Sequence, residues 1–189
     1  YPRFIHAEFM THRVFSRNAS SSRAIPIEKM IRDVMDDPAM PVAWGSNKPG
    51  MQAGEELSGD VLAFSKMVWD AAKNDAVRHA RQLMSAGAHK QIVNRILEPF
   101  AHITVICTAT DWDNFFELRC HPDADPTMRA LAEAMRDAID GSTPATQTWH
   151  LPYFTQSDAE AIWAKNETGG GHDFNTFAMI SAARCARVS

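Results

Sequence analysis

Cysteine is scarce in this sequence. Cys107, Cys120 and Cys185 are the only three in 189 residues, and no two of them form a C-x-x-C pair. An odd count at such spacing argues against a disulfide framework and against a structural zinc site, so no metal is expected and reduced thiols in a cytoplasmic setting are the expectation. Long apolar runs are absent too. No stretch reads as a signal peptide or reaches the length needed to cross a bilayer, so no membrane role is expected. Positive charge is not in excess: 19 Lys and Arg stand against 23 Asp and Glu, a formal net charge of -4. No global basic field therefore points to nucleic acid, although a local basic cluster can still bind phosphate. The first residue is Tyr1 and not Met, which reads as a fragment or a processed product.

Apolar residues make up 45% and charged residues 22%, enough for a sizeable core in one domain or one compact subunit of an oligomer. Residues 1–10 read as an extended segment carrying Phe4, Ile5, Phe9 and Met10. Residues 11–23 are polar and read as a loop, because Ser and Asn compete for backbone hydrogen bonds. A helix is predicted from Pro26, with Ile27, Met30, Ile31, Val34 and Met35 on one face, ending at Asp36-Asp37-Pro38. Residues 38–57 read as a long surface loop. The strongest helix is predicted over 60–86, with Val61, Phe64, Val68, Ala72, Ala76, Ala80 and Leu83 at helical spacing and Gly87 as its stop. A shorter helix covers His89–Leu97, and residues 102–110 (HITVICTAT) read as a strand.

Asp111 caps a short helix bearing Asn114, Phe115, Phe116 and Arg119. Asp125-Pro126 opens another, burying Met128, Leu131, Met135 and Ile139 and ending at Gly141. After a linker over 142–156, Ser157 opens a helix to about Lys165, Gly169-Gly170-Gly171 forms a flexible joint, and residues 173–187 form a last helix. The balance is α+β, rich in helix and without internal repeats.

Chemistry concentrates near the start. His12, Arg13, Arg17, Asn18, Ser20, Ser21, Ser22 and Arg23 fall in one stretch, just ahead of the helix predicted from Pro26. Guanidinium forks, hydroxyls and free backbone N–H groups suit a phosphate, and a helix start nearby favours an anion. The same composition also describes a solvated Ser-rich loop with surface arginines. A second group is Arg95, then Asn114 and Arg119. Five residues subtend about 500° of helix, so Asn114 and Arg119 point about 140° apart and would face different ligands or different parts of one; each alone also reads as a capping or surface residue.

These residues resemble the signature of the flavin-dependent thymidylate synthases. That signature is Arg-His-Arg, seven residues, Ser, and Arg two positions on; here the stretch is THRVFSRNASSSR, with His12, Arg13, Ser16, Asn18, Ser21 and Arg23 in register. Arg95, Pro99, Asn114 and Arg119 match a second family pattern. A third match is out of order: AARCARVS at 182–189 resembles a segment that normally precedes the signature, which suggests a permuted chain continuing past Ser189. The resemblance thus implies a single domain over 1–189, incomplete at its C-terminal end. Residues 38–57 and 150–175 have no counterpart. Thr11 replaces the first signature Arg, Glu8 stands where Gln is usual, Ala19 where Glu is frequent, and Thr108 and Thr110 stand where Asn and Arg face the flavin. Similar variants occur in nucleoside-antibiotic pathways that accept UMP.

The resemblance implies a helix-rich subunit around a small mixed sheet, assembled as a homotetramer with sites at subunit interfaces. It implies C5-methylation of a uridine nucleotide, dUMP or UMP, with FAD, NADPH and methylenetetrahydrofolate. By position, Glu8, Ser21, Ser22, Arg23, Arg95 and Arg119 hold the nucleotide, and His12, Arg13, Asn18, Thr108, Asn114, His121 and Ser189 contact FAD. Arg119 and Ser21 are the catalytic candidates, Arg119 for developing negative charge on the uracil and Ser21 as a nucleophile, although no base adjoins it. His102, Trp112, Phe115 and Phe116 read as structural, and His172 as part of a mobile loop. The competing expectations are C5-hydroxymethylation, and a non-catalytic nucleotide- or RNA-binding module that kept the phosphate loop.

Overall fold

Ile5 and Phe9 lie four residues apart, the spacing that places two side chains on one helical face. In the computed structural model, which describes residues 1–146, 149–165 and 174–186, that spacing prevails over the expected extended start. A 3-10 turn at Arg3–Ile5 runs into α1 (His6–Phe9), and Ile5 and Phe9 are both buried. Residues 11–23 also depart from a plain loop. Ser16–Ala19 form β1, which pairs antiparallel with β2 (Val105–Thr108). Ser-Arg-Asn-Ala has weak strand propensity; the β-branched partner strand supplies the ladder. The sheet among the described residues is therefore two antiparallel strands and not mixed.

Two apolar clusters hold these elements. The first packs Met30, Ile31 and Val34 of α2 (Ile27–Asp36) against Val77 and Ala80 of α3 (Gly59–Ser85), with Val93, Leu97 and Phe100 closing it. The buried members from α3 all lie in its C-terminal half, with Trp69 packed alongside from the middle of the helix. Val61, Phe64 and Val68 are 58%, 61% and 49% exposed, so the helical stripe extends beyond the core it was expected to cover. Gly87, at φ +81°, ends the run: Ala88 N–H turns back to the Leu83 carbonyl.

The expected 89–97 helix is shorter. α4 (Lys90–Val93) gives way to 3-10 turns at Asn94–Ile96 and Glu98–Phe100. Asn94 is fully buried and donates to the carbonyls of Ser22 (2.7 Å) and Ile25 (2.9 Å), and Pro99 lacks the N–H that a continuing helix needs.

The second cluster is aromatic. Phe9, Phe15, Phe115, Met128 and Ala132 are buried in it, with Trp112 and Phe116 packed alongside. It joins α1 and the sheet to α5 (Asp113–Arg119) and α6 (Pro126–Asp140). Asp111 accepts from Asp113 N–H at 3.1 Å, and Asp125 caps α6 by accepting from Thr127 and Met128 N–H, each at 2.9 Å. Ile139, expected inside, is 40% exposed at the far end of α6. The 38–57 loop is tied across itself: Gly45 bridges Glu56, and a side chain at Gly45 would collide with Ala53.

Beyond 149, α7 (Gln156–Lys165) and α8 (Phe174–Ala186) hold each other. Arg184 grips both oxygens of Asp158 (2.6 and 2.7 Å), and neither helix contributes to the two clusters. Gly169-Gly170-Gly171, His172 and Ser189 lie outside the described residues. Among the described residues, no helix is long and apolar enough to cross a membrane.

Candidate active site

The segment 1–23 feeds two polar clusters. At the first, α5 ends by turning Arg119 toward α1. Arg119 Nε donates to His12 Nε2 at 2.8 Å, Nη1 to the Glu8 carboxylate, and Nη2 to Thr11 Oγ1 at 3.4 Å. Guanidinium carries five N–H donors, so three bonds to protein leave two for a ligand. His12 is buried (7% exposed), stacked on Phe15 and edge-on to Phe115 at 4.8 Å. Burial, then the nearby Arg119 and Arg17 guanidiniums, hold the His12 ring below the usual histidine range. A cavity of about 850 Å³ opens here, with Glu8 and Arg119 on one wall and Gly45, Met51, Glu56 and Asp123 among the others. The 38–57 loop therefore walls the site.

At the second cluster one carboxylate is the hub. Glu98 Oε1 accepts from Ser22 Oγ, and Arg95 Nη1 (3.3 Å) and Arg3 Nε (3.6 Å) lie against the same oxygen. Arg3 also donates to the Ser20 carbonyl at 3.4 Å. Ser22 is 2% exposed with its hydroxyl spent on Glu98, so it does not reach a ligand as expected; it fastens the loop from within. Ser21 is half-buried, and no base among the described residues bonds its hydroxyl. Arg95 and Arg23 stay exposed, and Arg23, like Arg13, has no side-chain partner among the described residues.

Arg17 departs from the anion reading. Its Nη1 donates to the carbonyls of Phe9 (3.1 Å) and His12 (2.8 Å), so it staples the turn before β1. The strand register places Asn18 and Thr108 on one face of the ladder, opposite the face of Arg17 and Cys107. Burial pushes the Cys107 thiol up to about 11, as suits an inert residue. Asn18 Nδ2 donates to the Cys185 carbonyl, which brings the end of α8 to that ladder face. Asn114 is exposed at the start of α5. His121 is exposed, and its Nδ1 accepts from Asp123 N–H at 3.2 Å. His102 bridges Pro2 ahead of β2, and Phe115 and Trp112 sit in the aromatic cluster as expected.

Sequence reasoning missed Arg3, Thr11 as a partner, Asn94 and Glu98. Glu98 follows Arg95 by three residues, a spacing that was there to read. The others are set by contacts distant in sequence.

No curated protein matches the chain. A family model described as thymidylate synthase complementing protein matches residues 1–145, which span both clusters, the sheet and α1–α6. AARCARVS lies beyond the matched residues. With three quarters of the chain matched, and with both arginine clusters inside that span, the protein belongs to the thymidylate synthase complementing family, a family of flavin-dependent thymidylate synthases that act on a nucleotide with FAD and folate.

Proposed function

We propose that the protein methylates a uridine nucleotide, dUMP or UMP, at C5, with methylenetetrahydrofolate as one-carbon donor and NADPH as the source of electrons for FAD. The observation that carries this reading is the set of unspent donors around β1. Arg13 precedes the strand and Arg23 follows it, both exposed and unpartnered among the described residues, and Asn18 and Thr108 share the ladder face between them. That set fits an anionic, ring-bearing ligand: Arg13 and Arg23 offer forks to phosphate, and Asn18, with one amide hydrogen on the Cys185 carbonyl, keeps its other hydrogen and its oxygen for a ring edge.

Bound FAD would supply the hydride chemistry. The chain's own residues bind and orient. Ser21, Arg23 and Arg95 suit the nucleotide phosphate, close to the start of α2. Arg119, with two N–H groups left over, suits the uracil carbonyls and the negative charge that develops there. Glu8 occupies one Arg119 nitrogen and orients the fork. Asn114 and His121, both exposed, would meet FAD in an assembled oligomer. The bare apolar stripe of Val61, Phe64 and Val68 supports assembly into the proposed homotetramer.

The test is direct. The purified chain is loaded with FAD and assayed with dUMP and with UMP, and the products are weighed. A product heavier by one methyl group supports the reading; one heavier by a hydroxymethyl group, or failure to take up flavin, overturns it.

A further inference from the structure

We propose that His12 is a positioning residue for Arg119: its neutral ring, with hydrogen on Nδ1, accepts the Arg119 Nε hydrogen and fixes the guanidinium at the cavity wall. The inference rests on the reading that Arg119 contacts the nucleotide. Three observations carry it. The Nε–Nε2 separation is 2.8 Å, a full hydrogen bond from a permanent cation, so Nε2 must hold its lone pair. The ring is 7% exposed and caged, stacked on Phe15 at 5.8 Å and set against Phe115 at 4.8 Å, so it cannot swing away. The backbone is also pinned, because Arg17 Nη1 donates to the His12 carbonyl at 2.8 Å.

The charged groups around the ring fix the sign of its titration. Arg119 faces it from α5 and Arg17 from β1. Glu8 on α1 is the nearby carboxylate, and its charge is engaged by Arg119. Two cations and burial oppose a proton on the ring, so the acceptor persists at neutral pH. As pH falls below the ordinary histidine range, Nε2 takes a proton from solvent and becomes a second donor facing Nε–H. Arg119 then loses its brace.

The experiment measures nucleotide KM and kcat from pH 8 to pH 5 in the wild-type holoenzyme, in His12→Gln and in His12→Phe. Titration of the nucleotide phosphate is common to all three and cancels in the comparison. His12→Phe keeps the packing and loses the acceptor; it should raise KM about tenfold at neutral pH, the scale of one hydrogen bond to a charged group. His12→Gln places a carbonyl oxygen near Nε2 and should recover most of that loss. The extra weakening at low pH should appear in the wild type alone. Nitrogen-resolved NMR of the imidazole should show the proton on Nδ1 at neutral pH.

Equal losses in Gln and Phe, parallel pH profiles in all three proteins, or a neutral ring protonated at Nε2 would each overturn the proposal. Arg119→Gln separates it from the reading beneath it. If that variant leaves KM unmoved, the nucleotide assignment of Arg119 falls, and the tautomer measurement alone decides whether His12 braces Arg119.

Discussion

The two polar clusters fed by residues 1–23 both tie guanidinium to carboxylate, with opposite hubs. At Arg119 the cation is central, and its three nitrogens each meet a different partner, Glu8, Thr11 and His12. At Glu98 the anion is central, and one oxygen gathers Ser22, Arg3 and Arg95. The difference lies in what each leaves for a ligand. Arg119 is aimed in advance and its side chain is 20% exposed, whereas Arg95 is 58% exposed on a 3-10 turn and keeps most of its fork free. A pair as open as Arg95–Glu98 stabilises by about 1 kcal/mol at most, so a phosphate can take Arg95 at little cost. On the proposed reading of the site, one cluster serves placement and the other capture.

The sharpest way to break the comparison is to remove the floor of one cluster only. Phe115 is 1% exposed and touches His12, Phe9 and Phe15. Phe115→Ala should cost about 3–5 kcal/mol in urea unfolding and should scatter the Arg119 cluster while the loop at Glu98 persists. Next, Arg119→Gln should lower kcat/KM for the nucleotide about a hundredfold with little change in unfolding midpoint, the result expected of a group that serves the ligand more than the fold. Asn94→Ala attacks the other side. It strips the carbonyls of Ser22 and Ile25 of their buried donor and should cost about 1–3 kcal/mol in stability. Its effect on nucleotide KM should exceed its effect on kcat, because the capture loop loosens while Arg119 stays placed. A larger drop in kcat would contradict the division of labour.

Most of the frame was legible because the helices carry their own signals. The 27-residue α3, the Asp125 cap of α6 and the Gly87 stop all follow from local spacing and caps. The β-branched run at 105–108 announced β2, but nothing local announced β1, since Ser-Arg-Asn-Ala becomes a strand only when β2 lies beside it. The opening segment failed for another reason. Ile5 and Phe9 carried a helical spacing, and Pro2 with scattered apolar residues masked it. At the site, residue types were readable and their engagements were not. Arg17 looked like an anion ligand and instead holds two carbonyls, and Ser22 looked like a surface hydroxyl and instead lies under Glu98. Contacts 76 to 111 residues apart in sequence decide which polar groups remain free.

The smallest effect expected near neutrality is also the most selective. His12 and His6 both titrate below the ordinary histidine range, each through burial first and nearby arginines second. A histidine whose folded value is lowered favours folding above its unfolded value of about 6.5, and that contribution is lost as pH falls from there toward the folded value. The histidine contribution to the unfolding midpoint should therefore hold steady between pH 8 and 7 and decline below about 6.5. His12→Gln should flatten part of the decline, and His6→Gln the part that comes from the ring bonded to the Tyr1 hydroxyl at 2.7 Å. Because His12 belongs to the Arg119 cluster, its share should shrink in Arg119→Gln, where burial and Arg17 remain but one guanidinium is gone, and should survive unchanged in Asn94→Ala. A decline below pH 6.5 that neither histidine substitution alters would place the acid sensitivity elsewhere and remove the electrostatic distinction between the two clusters.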